Sequence, residues 1–279
     1  MPRPLPPLPP RLIATDLDGT LLQRDGTIST RTQYALLRVR AYGIPVVMVT
    51  GRPPRHVRQL AGTAQLAEMV ICMNGALTYD LGARQVLDET RLPAPEAHAV
   101  VQALRRVFPE ICFAVEVGLA FGWEPQYARE RGKVEPSGLG AEDALVLCAD
   151  GVNKLIAFSS IRPLPELLAG SSPVVRGHAL VTTSGAPFLE ISALEASKAT
   201  ALSRLCARRG IDREHVWAFG DMPNDLAMLH WAGHSVAVAN AHPEVLRQAA
   251  EVTASNDDHG VARVLERLVE SLDRASSEP

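Results

Sequence analysis

Asp16-Leu17-Asp18-Gly19-Thr20 follows the apolar run Leu12-Ile13-Ala14 near the N-terminus and sets two carboxylates two residues apart. Alternate residues of an extended chain face the same side. At the frayed end of a buried strand, two such carboxylates point together into a crevice, one to attack and one to manage protons. That division of labour suits phosphoryl transfer through a covalent aspartyl-phosphate. A turn or a solvated surface is the plain alternative for such a pair, but glycine and threonine follow here. Glycine permits a tight turn, and the amides it exposes can cradle an anion.

Beyond this pentapeptide the chain alternates short apolar runs with helical periods, the rhythm of a parallel sheet with crossover helices. Tyr34, Leu37 and Ala41 have helical spacing within 30–41, and Gly43 closes that helix before Val46-Val47-Met48-Val49. The second run ends at Thr50-Gly51-Arg52. A helix over 55–67 leads to Met69-Val70-Ile71-Cys72, which ends at Asn74-Gly75. Polar or glycine residues at three strand ends mark the edge where open α/β sheets place ligands. Between about 92 and 188 prolines and glycines cluster, as in a second α+β domain inserted into the first. The earlier rhythm then returns, with helices over 196–209, 224–231, 243–250 and 261–273 and strands over 215–219 and 235–238.

The 279 residues, 47% hydrophobic and 21% charged, suffice for one large domain or two smaller ones. A net charge of -3 with no basic stripe argues against nucleic acid as a partner. No apolar run reaches the roughly 18 residues of a membrane span, and no leader-like segment opens the chain. Cys72, Cys112, Cys148 and Cys206 are widely spaced, as reduced core cysteines are, which suggests a cytoplasmic protein. The opening MPRPLPPLPP reads as a disordered tail over 1–10, with polyproline recognition as the alternative.

Gly220-Asp221-Met222-Pro223-Asn224-Asp225 places two more carboxylates after the strand Val216-Trp217-Ala218-Phe219. Asp225 has two readings, a member of the site or a residue placed for the helix dipole. Four carboxylates in one crevice would repel by about 4 kcal/mol per close pair at an effective dielectric near 20. A divalent cation removes the objection, and hard oxygen ligands beside phosphate favour Mg²⁺. Thr50, Gly51 and Arg52 offer a hydroxyl and amides suited to phosphate oxygens. Lys198 follows Phe188-Leu189-Glu190-Ile191 at the start of a helix, where it is either a solvated lysine or the positive charge such a site needs.

In order, DLDGT at 16–20, VTGR at 49–52, Lys198 and GDMPND at 220–225 match the four motifs of the haloacid dehalogenase superfamily of phosphatases, which the chain resembles. MNGAL at 73–77, FLEI at 188–191, NDLAML at 224–229, ANAHPEV at 239–245 and SNDDHGVA at 255–262 resemble the Cof-type branch, subfamily IIB. The resemblance implies a doubly wound, mostly parallel Rossmann-like core over 11–88 and 189–279. An α+β cap of the C2B type is inserted over 89–188. It further implies that Asp16 is the nucleophile, Asp18 the general acid/base, and Thr50 and Lys198 the phosphoryl-binding groups. Asp221 ligates Mg²⁺ with the Asp16 carboxylate and the Asp18 carbonyl, Asn224 contacts phosphate or substrate, and Asp225 supports the site. The activity implied is hydrolysis of a small phosphorylated metabolite; a phosphomutase and a non-catalytic sugar-phosphate sensor are the alternatives. Ala199 and Ala239 depart from the glycines common at these places, and neither would supply a reacting group.

Other features read more plainly. His230 and His234 have i,i+4 spacing, but Gly233 ends the helix and no HExxH glutamate is present, so a structural role outweighs a zinc pair. His242 is expected to be a loop or cap residue. Phe121, Trp123 and Tyr127 are expected to pack the inserted domain rather than face substrate, and Arg52 either contacts substrate or braces the site.

Overall fold

In a computed structural model describing residues 8–60, 62–132, 134 and 138–277, the chain enters its central strand almost at once. Strand β1 (Leu12–Thr15) is buried at all four positions. Helix α1 (Thr30–Ala41) starts at Ser29, whose side chain accepts from the Thr32 amide, and ends before Gly43, whose φ is +74°. The helix is where the sequence places it, yet its inward face is different. Ala35, Leu36 and Val39 are buried, whereas Tyr34 and Leu37 are 62% and 46% exposed. The alternative stripe wins because α1 packs on the helix over Gly260–Ser277, to which Arg31 and Arg38 reach in ion pairs with Glu266 and Asp273.

Strand β2 (Val46–Val49), helices α2 (Pro54–Arg58) and α3 (Thr63–Leu66), and strand β3 (Met69–Cys72) follow. The single helix expected over 55–67 is divided, with Gly62 in the left-handed region at φ +77°. Strand β4 (Leu77–Asp80) turns back antiparallel to β3, and β5 (Gln85–Glu89) comes next.

One compact unit comprises 86–197. Its elements are α4 (Ala94–Val107), β6 (Cys112–Val117), β7 (Ala120–Trp123), α5 (Pro125–Arg131), β8 (Gly138–Ala141), α6 (Ala144–Leu147), β9 (Lys154–Phe158), α7 (Leu164–Val175), β10 (Leu180–Thr182) and β11 (Leu189–Ser192). They form a six-stranded sheet ordered β10-β11-β9-β6-β7-β8. Phe121 stacks on Trp123 with centroids 5.7 Å apart, and Phe121, Tyr127, Ile156 and Phe158 share one cluster. The aromatic residues of this unit therefore pack its interior. Leu189–Ser192, assigned to the core from sequence, pairs with β9 and β10 here, because Leu189, Glu190 and Ile191 continue an antiparallel ladder.

The other unit comprises 1–85 and 198–279. Its second half contributes α8 (Lys198–Arg209), β12 (Val216–Gly220), α9 (Leu226–Trp231), β13 (His234–Ala237), α10 (Pro243–Gln248), β14 (Glu251–Val252) and α11 (Gly260–Ser277). The central sheet runs β14-β13-β12-β1-β2-β3-β4-β5, parallel from β14 through β3. β1 thus lies between β2 and β12, and successive strands depart from it in opposite directions. That reversal is the doubly wound topology, and it opens a crevice at the carboxyl ends of β1 and β12. No helix among the described residues is long and apolar enough to cross a membrane. Of the proline-rich segment, 1–7 lies outside the described residues. Pro10 is buried, and the Pro9 carbonyl accepts from the His215 ring, so the end of the segment belongs to the fold.

Leu36→Ala should destabilise the protein by about 2–5 kcal/mol, since it removes a wholly buried side chain. Leu37→Ala next to it should stay within about 0.5 kcal/mol. Urea denaturation of the two variants distinguishes the faces, and equal costs would contradict the burial pattern.

Candidate active site

Asp16 is the residue immediately after β1. Its backbone amide donates to the Phe219 carbonyl, so the parallel ladder with β12 continues to this point and fixes where the carboxylate leaves the sheet. The side chain is nearly buried. Lys198, the first residue of α8, donates through Nζ to Asp16 Oδ1 at 2.5 Å and to Asp225 Oδ1 at 2.6 Å. Lys198 is 2% exposed and Asp225 is wholly buried. The solvated-lysine reading is therefore excluded for Lys198.

Asp225 combines both readings, since it also stands at the N-terminus of α9 and its side chain caps the short turn Pro223–Asp225 before it. Its second oxygen accepts from the backbone amides of Asp221 and Met222, both at 3.0 Å. One carboxylate therefore ties the lysine to the loop that follows β12. Asp221, at the start of that loop, is 6% exposed and accepts from the Thr20 hydroxyl at 2.7 Å. DLDGT contributes this contact as well as its two carboxylates.

Asp18 and Asp16 do not share one environment. The Asp18 side chain is 47% exposed and is gripped by Arg52, which donates from Nε to Oδ2 at 2.8 Å and from Nη2 to Oδ1 at 2.5 Å. This bidentate pair holds the Arg52 guanidinium above its ordinary pKa, the hydrogen bonds outweighing partial burial. Arg52 thus lies against Asp18, beside the Asp16 crevice.

Thr50 is buried at the end of β2 and accepts the Arg52 amide at 3.1 Å, leaving its hydroxyl hydrogen to donate elsewhere. Gly51 lies between them in the same turn. Asn224 donates to Asn74 Oδ1 at 3.1 Å, and Asn224 Oδ1 is buried with no partner among the described residues. Asn74 was not singled out from sequence, although Asn-Gly at a strand end is a turn signal. Its φ of +56° suits asparagine better than most residues, and its amide donates to the Thr50 carbonyl. It thus links the ends of β2 and β3 to the loop after β12.

Asp16, Asp221 and Asp225 each place a carboxylate oxygen within 4.8 Å of the others, the one such group among the described residues. Asp18 is absent from this side-chain trio because its carboxylate is turned onto Arg52. Burial pushes the Asp16 carboxyl well above its ordinary pKa; Lys198 opposes the shift, while Asp225 and Asp221 add to it. Burial likewise pushes Asp221 up to about 6, against the Thr20 hydrogen bond and with Asp225 and Asp18. Lys198 stays above its usual value because the two carboxylates outweigh the effect of its burial. The all-oxygen donor set and the excess of negative charge fit a hard divalent cation. The backbone is also cut back to make room: a Cβ on Gly19 would lie 2.4 Å from Asp221 Oδ2.

The histidines have no part in this site. α9 ends before His234, which begins β13 and pairs with Glu251 at 3.2 Å, whereas His230 is exposed. His242 caps α10, its ring accepting from the Glu244 amide. The four cysteines are buried, and none of them is in a disulfide among the described residues.

A doubly wound sheet interrupted by an α+β unit, with a lysine-bridged carboxylate at its switch point, defines hydrolases of the haloacid dehalogenase type. The chain belongs to that family: the haloacid dehalogenase-like hydrolases match residues 13–265. YwpJ of Bacillus subtilis (strain 168), named a phosphatase, is 30% identical over 288 residues, covering 93% of this chain and 100% of its own length. YwtE of the same organism, named 5-amino-6-(5-phospho-D-ribitylamino)uracil phosphatase, is 27% identical over 285 residues, covering 93% and 98%. The solved structure of the HAD subclass IIB sugar phosphatase BT4131 is 21% identical, with a TM-score of 0.78 over 92% of this chain and 98% of its own. At that identity the likeness is one of fold.

With a chelator present, the raised carboxyls of Asp16 and Asp221 hold protons more tightly in the folded chain than in the unfolded one. Their contribution to stability is complete below about pH 4 and is lost as pH rises through the folded values. For Asp221 the rise from 3.8 to about 6 is worth on the order of 3 kcal/mol. Chelated protein melted between pH 4 and 7 should therefore lose stability relative to Asp221→Asn; parallel curves would show that Asp221 is not under this strain.

Proposed function

We propose that the chain is a Mg²⁺-dependent phosphomonoester hydrolase that acts on a small phosphorylated metabolite through an aspartyl-phosphate at Asp16. The observation that carries this reading is the buried Asp16 carboxylate, held by Lys198 through one oxygen while the other has no protein donor among the described residues. Asp16, Asp221 and the backbone carbonyl of Asp18 would hold Mg²⁺, which when bound supplies Lewis-acid stabilisation of charge on the phosphoryl group.

The free oxygen of Asp16 attacks phosphorus, forming an O–P bond as the ester O–P bond breaks. Asp18 gives its proton to the departing alcohol oxygen. In the second half, Asp18 takes a proton from water, whose oxygen bonds to phosphorus and releases Asp16 and inorganic phosphate. Lys198 orients Asp16 and offsets charge on the phosphoryl oxygens, which also receive the Thr50 hydroxyl, the Gly51 amide and the Asn224 amide. Arg52 orients Asp18. One carboxylate oxygen must leave the guanidinium fork in the acid step, so Arg52 governs how readily Asp18 turns.

All four motif groups are in place, which favours an enzyme over a sensor. The substrate named for YwtE belongs on a panel with sugar, polyol and cofactor phosphates. The buried cysteines, none of them in a disulfide among the described residues, support residence in the reducing cytoplasm.

Asp16→Asn should lower Mg²⁺-supported hydrolysis of p-nitrophenyl phosphate by at least about 10³-fold, with circular dichroism unchanged. Parent-like turnover by that variant would eliminate the covalent mechanism.

A further inference from the structure

The segments ANAHPEV and SNDDHGVA have no part in the chemistry above, yet both close on it. Asn240 donates through Nδ2 to the Gly19 carbonyl at 2.8 Å, and its Oδ1 accepts from the Asn256 amide at 2.9 Å. The Asn256 side chain donates to the Leu22 carbonyl at 2.8 Å. Leu22 in turn donates its amide to the Leu17 carbonyl, closing the turn that carries Asp18, Gly19 and Thr20. Two asparagines therefore grip this turn, Asn240 at Gly19 within it and Asn256 at Leu22 where it ends. The loop that supplies Asn240 also reaches the other wall, since the His242 amide donates to the Asp221 carbonyl at 2.8 Å. Asn256 is braced in parallel: its neighbour Asp257 accepts the Arg24 amide at 2.8 Å.

We propose that Asn240 and Asn256 form a clamp that positions the Asp18–Gly19 backbone against Asp221 and thereby sets the affinity of the site for a divalent cation. The geometry makes Gly19 the sensitive point. Its backbone lies so close to Asp221 that an added Cβ would fall 2.4 Å from Oδ2, while Thr20 bonds Oδ1 of the same carboxylate. A small drift of the turn therefore alters both the Asp18 carbonyl and the Asp221 carboxylate. Asparagine suits position 240 because one short side chain must accept from Asn256 and donate to Gly19 together. Aspartate has no donor to offer. The acceptor side is fixed by the Asn256 amide, so the Nδ2 side must face Gly19. Residues that orient metal ligands from behind typically change metal affinity by about 10–100-fold when removed.

This inference rests on the reading that the site holds a cation, and the test separates the two. Chelated parent, Asn240→Ala, Asn240→Asp and Asn256→Ala are titrated with Mn²⁺ by calorimetry, without substrate. Both Asn240 variants should bind about tenfold more weakly. Asn256→Ala keeps the amide that orders Asn240 and should show a smaller loss in the same direction. At saturating Mg²⁺, KM for p-nitrophenyl phosphate should be unchanged and kcat within about twofold of the parent. A purely structural role would lower the melting temperature without moving the Mn²⁺ affinity, and parent-like affinity in folded Asn240→Ala would overturn the clamp. If Asn240→Ala does not fold, Asn256→Ala is judged by the same criterion. A parent that binds no Mn²⁺ would overturn the cation reading itself.

Discussion

One buried ammonium determines how the two separated stretches of the core unit meet. Lys198 lies between Asp16, 182 residues earlier, and Asp225, 27 residues later. A lysine without water is costly to bury, and only close pairing with further hydrogen bonds offsets the loss of hydration. Both conditions hold here. Taking the ammonium away would leave carboxylates facing one another in a dry site, a defect of about 3–5 kcal/mol. Asp225 passes the constraint onward, because the oxygen not used by Lys198 holds the amides of Asp221 and Met222. The placement of the nucleophile candidate and of the loop after β12 thus follows from a single charge.

Topology explains why that charge can be supplied at all. β1 and β12 are neighbours, yet the chain leaves β1 toward β2 and β3 and leaves β12 toward β13 and β14. The crossover helices diverge at this reversal, so the carboxyl ends of the two strands are left open. α8 is the helix that leads from the inserted unit into β12, and Lys198 is its first residue. The inserted unit therefore separates Asp16 from Lys198 by a long stretch of sequence without separating them in space.

Much of this was legible in the chain. Fully apolar runs ending in Asp16, Thr50, Asn74 and Asp221 announce buried parallel strands with polar ends, because burial on both faces leaves no alternation to confuse the reading. The inward face of α1 was not legible: Tyr34 and Leu37 are as apolar as the residues that pack, and only the position of α11 decides between the stripes. β11 was misplaced for a similar reason. Leu189 to Ser192 is a strand in either unit, and its partner strands, not its composition, assign it. Asn74, Asn240 and Asn256 act on backbone carbonyls or on another amide far away in sequence. Such contacts have no periodicity, so local pattern reads asparagine there as a turn former and stops.

Charge matching then separates the parts of the site that are complete from the part that is not. Arg52 and Asp18 pair with each other, and Lys198 is shared by Asp16 and Asp225. Three buried carboxylates against one buried ammonium leave two negative charges when all are ionised, and the raised Asp16 and Asp221 are the chemical expression of that imbalance. The groups that shape the space beside them, namely the Gly19 backbone, the Thr20 hydroxyl and the two asparagine amides, are all neutral. They fix position without altering the imbalance. A phosphate dianion entering such a site alone would meet uncompensated repulsion, whereas a divalent cation would cancel the two charges. In the proposed reaction, phosphate would bind favourably only after neutralisation, and the neutral frame would leave that neutralisation to the cation rather than the protein.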